Sequence, residues 1–436
     1  MSSMQAAMCT RVGISRTDVP ARRDRLWCTM HPHKAKAIVS PFPVQVSRSQ
    51  EIVPLLSFKR DYLFWREKRG KAELHVEVRP VQKKAEGESS TDQVRVALKK
   101  HYQLDVKRIE RIAYGLWEES FSVWTSSQRY YVKRFYAKWR LQTRYEEMLI
   151  GLALSQELRE KGFPAPRLLL PHHQEWLAHD QGETYQVNEW IDGRSYHPGE
   201  LPLREAKAMG ELLAHFHRQF DPLPPFEDVP MLSPSKAIAD CRELWNHYQK
   251  EQGAFPGYVR EILEQQISLL ETVSHEYVSR LPVPSLRGRC FHSYWVEQLI
   301  FHPNGEVAAL VDWTDGAGRE GYWAKDLVSG LHLSALQYEG ILAFCEGYQA
   351  HHPLPKSEWQ AVLAKLCYGH LASTNFLDSW LVKHNRRMDH WEQIAMTWTR
   401  LVPERFRLWH KLEQGLLDML FPDYQQATVV VGRDNE

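Results

Sequence analysis

The stretch RCFHSYWVEQLIFH (residues 289–302), followed by VDWTDG (311–316), decides how this chain folds. His292 and Ser293 precede the aromatic pair Tyr294-Trp295, and Gln298 precedes the apolar run Leu299-Ile300-Phe301. Pro303-Asn304-Gly305 is a turn signal, and the apolar AALV after it ends in Asp312. This predicts two short strands with polar groups gathered at one end. An ionised Asp closing a buried strand is costly unless a cation or metal stands beside it. Asp312 therefore needs such a partner.

The rest of the chain is ordinary in composition. Its 436 residues are too many for one simple domain and suggest two lobes with appendages. Hydrophobic content is 43%, charged content 25% and net charge +1, which gives no bulk attraction to nucleic acid or to a membrane. No apolar run approaches the ~18 residues of a spanning helix. The six cysteines are scattered, without zinc spacing, and read as reduced thiols of a cytoplasmic protein. Residues 1–50 hold two acids against six Arg and two Lys. That pattern fits a basic, poorly ordered extension over 1–89, and equally a transit-like segment.

Periodicity divides what remains. ELHVEVRPV (73–81) alternates like a strand, and Ser90 with Gln93 resembles a capping box opening the helix DQVRVALKKHY. FSVWT and RYYVKRF alternate on either side of SSQ as a hairpin that carries Lys133. A long helix bearing Glu146 and Glu147 follows, then a second hairpin ending in NEWIDGRS. From Leu203 helices dominate, with segments expected over 203–220, 236–248, 257–279, 356–383 and 390–420. The expected order is a β-rich lobe over 90–190, a helical lobe over 191–425 carrying the opening stretch, and a tail over 426–436.

That order resembles the aminoglycoside-phosphotransferase and choline-kinase-like family of the protein-kinase-like fold, nearest in look to its spore-coat-associated branch. YGLWEESFSVWTSSQRYYVKRF is similar to the family's nucleotide-covering hairpin, FPAPRLL to its linker and YQVNEWIDGRSY to its hinge. GELLAHFHRQF is similar to its first large-lobe helix, and VDWTDGAGREGYWAKDLV to its metal-binding segment. The resemblance implies an α+β bilobal fold, ATP and Mg as cofactors, and a nucleotide plus a small hydroxylated substrate as partners. It also brings in the branch's association with a coat or assembly protein.

Residue by residue, the resemblance implies that Lys133 holds the nucleotide phosphates, braced by Glu146 or Glu147, with Glu147 preferred because it lies with the apolar face. Gly115 lies in the covering loop, which has one glycine beside the acids Glu118 and Glu119 and is poorly suited to polyphosphate. Asn188, Glu189, Trp190 and Ile191 form the adenine-facing hinge. Asp312 binds metal, Asp315 supports it, and Asp326 caps and braces the loop. The family's loop reads His-Gly-Asp, four residues, then Asn. Aligned on Tyr294-Trp295, it puts His292 at the Gly, Ser293 at the Asp and Gln298 at the Asn. Aligned on His292 as the motif His, it puts Tyr294 at the Asp and Leu299 at the Asn. Both registers lose the aspartate.

A serine cannot accept a substrate proton at neutral pH, and losing a general base removes about 10²–10⁴-fold in rate. Gln298 sets its carbonyl a methylene further out than Asn, which magnesium's tight octahedron disfavours. The expectation is a degenerate phosphotransferase, a pseudokinase. The alternative is an active ATP-dependent kinase of an amino-alcohol, sugar or antibiotic-like hydroxyl, with Glu297 or His292 as the stand-in base.

Overall fold

The computed structural model describes residues 88–114, 118–135, 142–173, 175–224, 231–250, 257–378, 382 and 392–422. The expected strand over 73–81, residues 1–87 of the proposed extension, and the tail lie outside these residues, as does Gly115, whereas Glu88 and Ser89 are already helical.

Helix α1 (Glu88–Tyr102) opens the described chain, so Ser90 falls inside its first turn rather than at its cap. Strands β1 (Arg108–Tyr114), β2 (Glu118–Trp124) and β3 (Arg129–Phe135) form an antiparallel meander. Helix α2 (Gln142–Glu160) follows, then β4 (Leu168–Leu169), β5 (Ala178–Asp180) and β6 (Glu183–Glu189), with β6 pairing against β3. Alternation along β3 sends successive side chains to opposite faces. Tyr130 and Val132 join the cluster packed under α1, with Val94, Leu98, Phe121 and Val187. Phe135, on the other face, packs with Met148 and Leu152 of α2. Lys133 shares that second face and is thereby aimed away from the α1 core.

The helical part carries α3 (Leu203–His217), α4 (Pro234–Lys250), α5 (Gly257–Glu271) and the short α6 (His275–Ser279). Four short strands interrupt it. β7 (Arg287–Cys290) pairs with β10 (Arg319–Tyr322), and β8 (Leu299–Phe301) pairs with β9 (Val307–Leu310). The expected two-strand insertion is therefore a pair of two-stranded ribbons. Then come α7 (Trp323–Leu333), α8 (Tyr338–His351) and α9 (Lys356–Ala364), a π turn at Lys365–Gly369, and the short α10 (Asn375–Leu377). Helices α11 (Glu392–Arg407) and α12 (Trp409–Leu420) close the described chain. Three expected continuous helices are thus broken: 257–279 after Glu271, 356–383 at the π turn and 390–420 at Leu408. Among the described residues no helix is long and apolar enough to cross a membrane.

Helices α3 and α8 approach through glycines. A Cβ on Gly210 would stand 2.0 Å from the Phe344 carbonyl oxygen, and one on Gly347 2.2 Å from that of Lys207. Backbone cannot yield as a side-chain tip can, so Gly210→Ala should cost roughly 1–3 kcal/mol or more through overpacking. Urea unfolding checks this, and an unchanged midpoint would show that the helices can separate freely.

Candidate functional site

Lys133 is brought to the centre of the site by β3. Its side chain is 6% exposed, and its ammonium donates to Asp312 Oδ1 at 2.5 Å and lies 3.7 Å from Glu118 Oε1. Burial works to lower its pKa, but the charges of Asp312 and Glu118 outweigh it and hold the ammonium firmly protonated. This ion pair joins the sheet to the turn after β9 across 179 residues of sequence.

Asp312 stands at that turn with φ 63°, left-handed backbone that a non-glycine residue adopts only when its surroundings enforce it. Thr314 donates to its Oδ1 at 3.0 Å and Gln298 Nε2 to its Oδ2 at 3.2 Å. Trp313 next door is buried against Phe163, Phe216 and Phe291 and donates to the Leu310 carbonyl at 2.7 Å. Helix α2 touches the same turn at Gly151, where a Cβ would meet the Trp313 carbonyl oxygen at 1.8 Å. The turn is therefore clamped from both sides.

The loop at 291–298 hangs from Asp326. This carboxylate is fully buried in the first turn of α7 and accepts from the Phe291 and His292 peptide N–H groups at 2.6 and 2.8 Å. His217 Nε2 lies 3.2 Å from it, and His217 Nδ1 lies 2.7 Å from the Tyr348 hydroxyl. Burial would push the Asp326 carboxyl up, but the hydrogen bonds from His217 and the Phe291 peptide hold it below the usual range. Its bracing role is as the sequence implied.

The site thus joins a strand lysine to an acid on a left-handed turn, beside a loop held by a buried aspartate, the kinds of part from which kinase-type phosphoryl-transfer sites are built. The model of the phosphotransferase enzyme family matches residues 108–355, more than half of the chain. The chain belongs to the phosphotransferase enzyme family. No curated protein matches it. Among solved structures, an amicoumacin kinase bound to AMP-PNP, Ca2+ and Ami is 13% identical, with 72% of this chain and 94% of that one covered at a TM-score of 0.46. A spectinomycin phosphotransferase with ADP and spectinomycin is 12% identical, covering 73% and 98% at 0.47. An aminoglycoside phosphotransferase from Alicyclobacillus acidocaldarius is 16% identical, covering 76% and 96% at 0.44.

Within this phosphotransferase-family fold the residues of the two loop registers sit in different surroundings. His292 has φ 70°, the left-handed conformation that glycine adopts at no steric cost. Ser293 Oγ then donates to Asp315 Oδ2 at 2.5 Å, and Gln298 reaches Asp312. Tyr294 is fully buried and donates to the Met209 carbonyl at 2.6 Å, and Leu299 lies in the core, so neither serves the cleft.

The other expected residues fall in different places. Glu147 pairs with Arg319 at 2.9 Å, not with Lys133, whose carboxylate partners are Asp312 and Glu118. Helical spacing could not settle this, because Glu147 finds its partner 172 residues away. Glu297, half-buried, pairs with the exposed His197 at 3.2 Å. His292 is committed at both nitrogens: Nε2 donates to the Arg319 carbonyl at 3.1 Å and Nδ1 accepts from the Lys325 ammonium at 2.7 Å. Burial, aided by the Lys325 charge, lowers its pKa to about 4. The neutral ring thus has no lone pair left for a substrate proton. In the hinge, the Glu189 and Trp190 N–H groups donate to the Arg167 and Arg129 carbonyls at 2.9 and 3.3 Å, and Asn188 pairs within the sheet. Arg319 and Lys325 were missed from the sequence, although Lys325 directly precedes Asp326 in the metal segment.

The donor set suits magnesium through oxygen: the Asp312 carboxylate, the Gln298 amide after a half-turn, and the Thr314 hydroxyl. Among the described residues no three His, Cys, Asp or Glu side chains gather around a metal position. A cation here would lean on nucleotide phosphates and water, as magnesium commonly does.

Buried histidines give the fold a defined acid limit. His217, His292, His332, His352 and His370 all have lowered pKa values, each chiefly through burial, with His292 and His352 near 4 and His370 near 3. The unfolded chain takes up protons below the ordinary ~6.5, while the native state refuses them. Stability should therefore be complete above about pH 6.5 and fall by a few kcal/mol as pH drops towards 4. Thermal midpoints across that range check this, and a flat profile would contradict it.

Proposed function

We propose that this phosphotransferase-family chain binds a magnesium–nucleoside triphosphate in the cleft but transfers phosphate feebly, a degenerate phosphotransferase. The observation carrying this reading is that the Lys133–Asp312 pair is retained while the loop offers only the hydroxyl of Ser293. Lys133 would hold the phosphates once Asp312 turns towards the cation. Asp312, Gln298 and Thr314 would hold magnesium, which when bound neutralises charge on the transferring phosphoryl group. Ile191 would offer its peptide to the base, and Glu118 near Lys133 weakens phosphate binding by repulsion. In keeping with the branch it resembles, such a protein would act by binding, with a coat or assembly protein as partner.

An ADP-release assay with Mg·ATP tests the reading. Working kinases turn over at about 1–100 s⁻¹, and loss of the loop base sets the expected rate some 10²-fold or more below that. Ordinary kinase rates, undiminished in Ser293→Ala, would sink it. One observation favours a second reading, an active kinase of a small hydroxylated amine or sugar: a carboxylate, Asp315, does reach the loop at Ser293.

A further inference from the structure

We infer that Asp315 is the proton acceptor for the transfer this cleft retains, with Ser293 holding its carboxylate in place. The inference rests on the reading that the cleft binds nucleotide. Ser293 Oγ donates to Asp315 Oδ2 at 2.5 Å, so a carboxylate lies one hydrogen bond beyond the position where the loop has lost its own. Both residues are half-buried, within reach of solvent and therefore of an attacking hydroxyl.

The turn that carries Asp315 is built for the purpose. It runs from left-handed Asp312 to Gly316 and Gly318, at φ 87° and 86°. A Cβ on Gly316 would stand 2.4 Å from the Arg319 guanidinium, so glycine lets that cation close over the turn. Lys325, on the far side of His292, also feels the Asp315 charge. The other candidate bases are engaged elsewhere: His292 is committed at both nitrogens, and Glu297 is paired with His197 at 3.2 Å.

The step balances as follows. The acceptor oxygen, of water or of a substrate hydroxyl, forms a bond to the γ-phosphorus of the nucleoside triphosphate. The bond from that phosphorus to the β–γ bridging oxygen breaks, and the diphosphate leaves with the electron pair. The proton on the acceptor oxygen passes to the Asp315 carboxylate and is later lost to solvent. Ser293 keeps its own proton throughout and acts as a positioning residue.

The test uses the full chain and Mg·ATP with water as acceptor, with ADP release and the Mg·ADP thermal shift measured side by side. Asp315→Asn should lower ADP release about 10²-fold and leave the shift unchanged. Ser293→Asp in that background should restore the rate, because it returns a carboxylate to the loop. Should Asp315→Asn fail to fold, Ser293→Ala replaces it, with a several-fold slower rate and an unchanged shift expected. The proposal is overturned if the rate in either single variant stays within twofold of wild type. It is equally overturned if wild type binds Mg·ADP but releases no more ADP than Asp312→Ala. Absence of any Mg·ADP shift would instead remove the nucleotide reading on which the proposal stands.

Discussion

Asp326→Ala should destabilise the fold by about 3–5 kcal/mol, the range for removing one member of a buried charged network. The carboxylate is fully buried and serves the Phe291 N–H, the His292 N–H and His217 together. Alanine leaves all three donors without an acceptor where water cannot replace it, and each bears its own desolvation cost. His217, stacked on Trp323 at 5.1 Å and held by Tyr348, cannot swing out to solvent. Asn at 326 keeps one carbonyl oxygen and should lose less. Urea unfolding at pH 7 reads the effect, and a loss below about 1 kcal/mol would mean that the loop is held by other contacts.

Lys133→Ala should remove most nucleotide affinity. The ammonium bridges Asp312 and Glu118, two acids that otherwise repel a phosphate chain. Truncating a buried, hydrogen-bonded charge typically costs about 2–5 kcal/mol, at least roughly 30-fold in affinity. At a ligand concentration of 100 times the wild-type Kd, Mg·ADP stabilises the native protein by about 2.7 kcal/mol. A 100-fold weaker variant retains about 0.4 kcal/mol at the same concentration. A shift equal to wild type would show that the phosphates are held elsewhere.

How much of this was legible in the sequence follows from how local each signal is. The hairpin carrying Lys133, the β8–β9 ribbon and the strand-closing Asp312 rest on period-two patterns and turn residues a few positions apart. The identity of the residue in the glycine place of the loop was not legible, because two registers fitted the letters equally well. The left-handed backbone of His292 bears on that choice, and backbone dihedrals leave no trace in composition. The Glu147–Arg319 and Ser293–Asp315 pairs join side chains 172 and 22 residues apart, so helix register alone could not find them. The π turn hid for a related reason. Leu366, Cys367 and Tyr368 are buried in succession, which reads as continued helix until the extra residue in the turn appears.

One calorimetric titration of Mg·ATP into the full chain tests directly whether the protein holds nucleotide without rapid transfer. The expected trace is a saturable binding isotherm whose baseline returns after each injection, because transfer is too slow to generate heat between them. Injections without heat at millimolar ligand would contradict the account by removing the nucleotide site. A sustained turnover signal at the ~1–100 s⁻¹ of working kinases would contradict it from the other side.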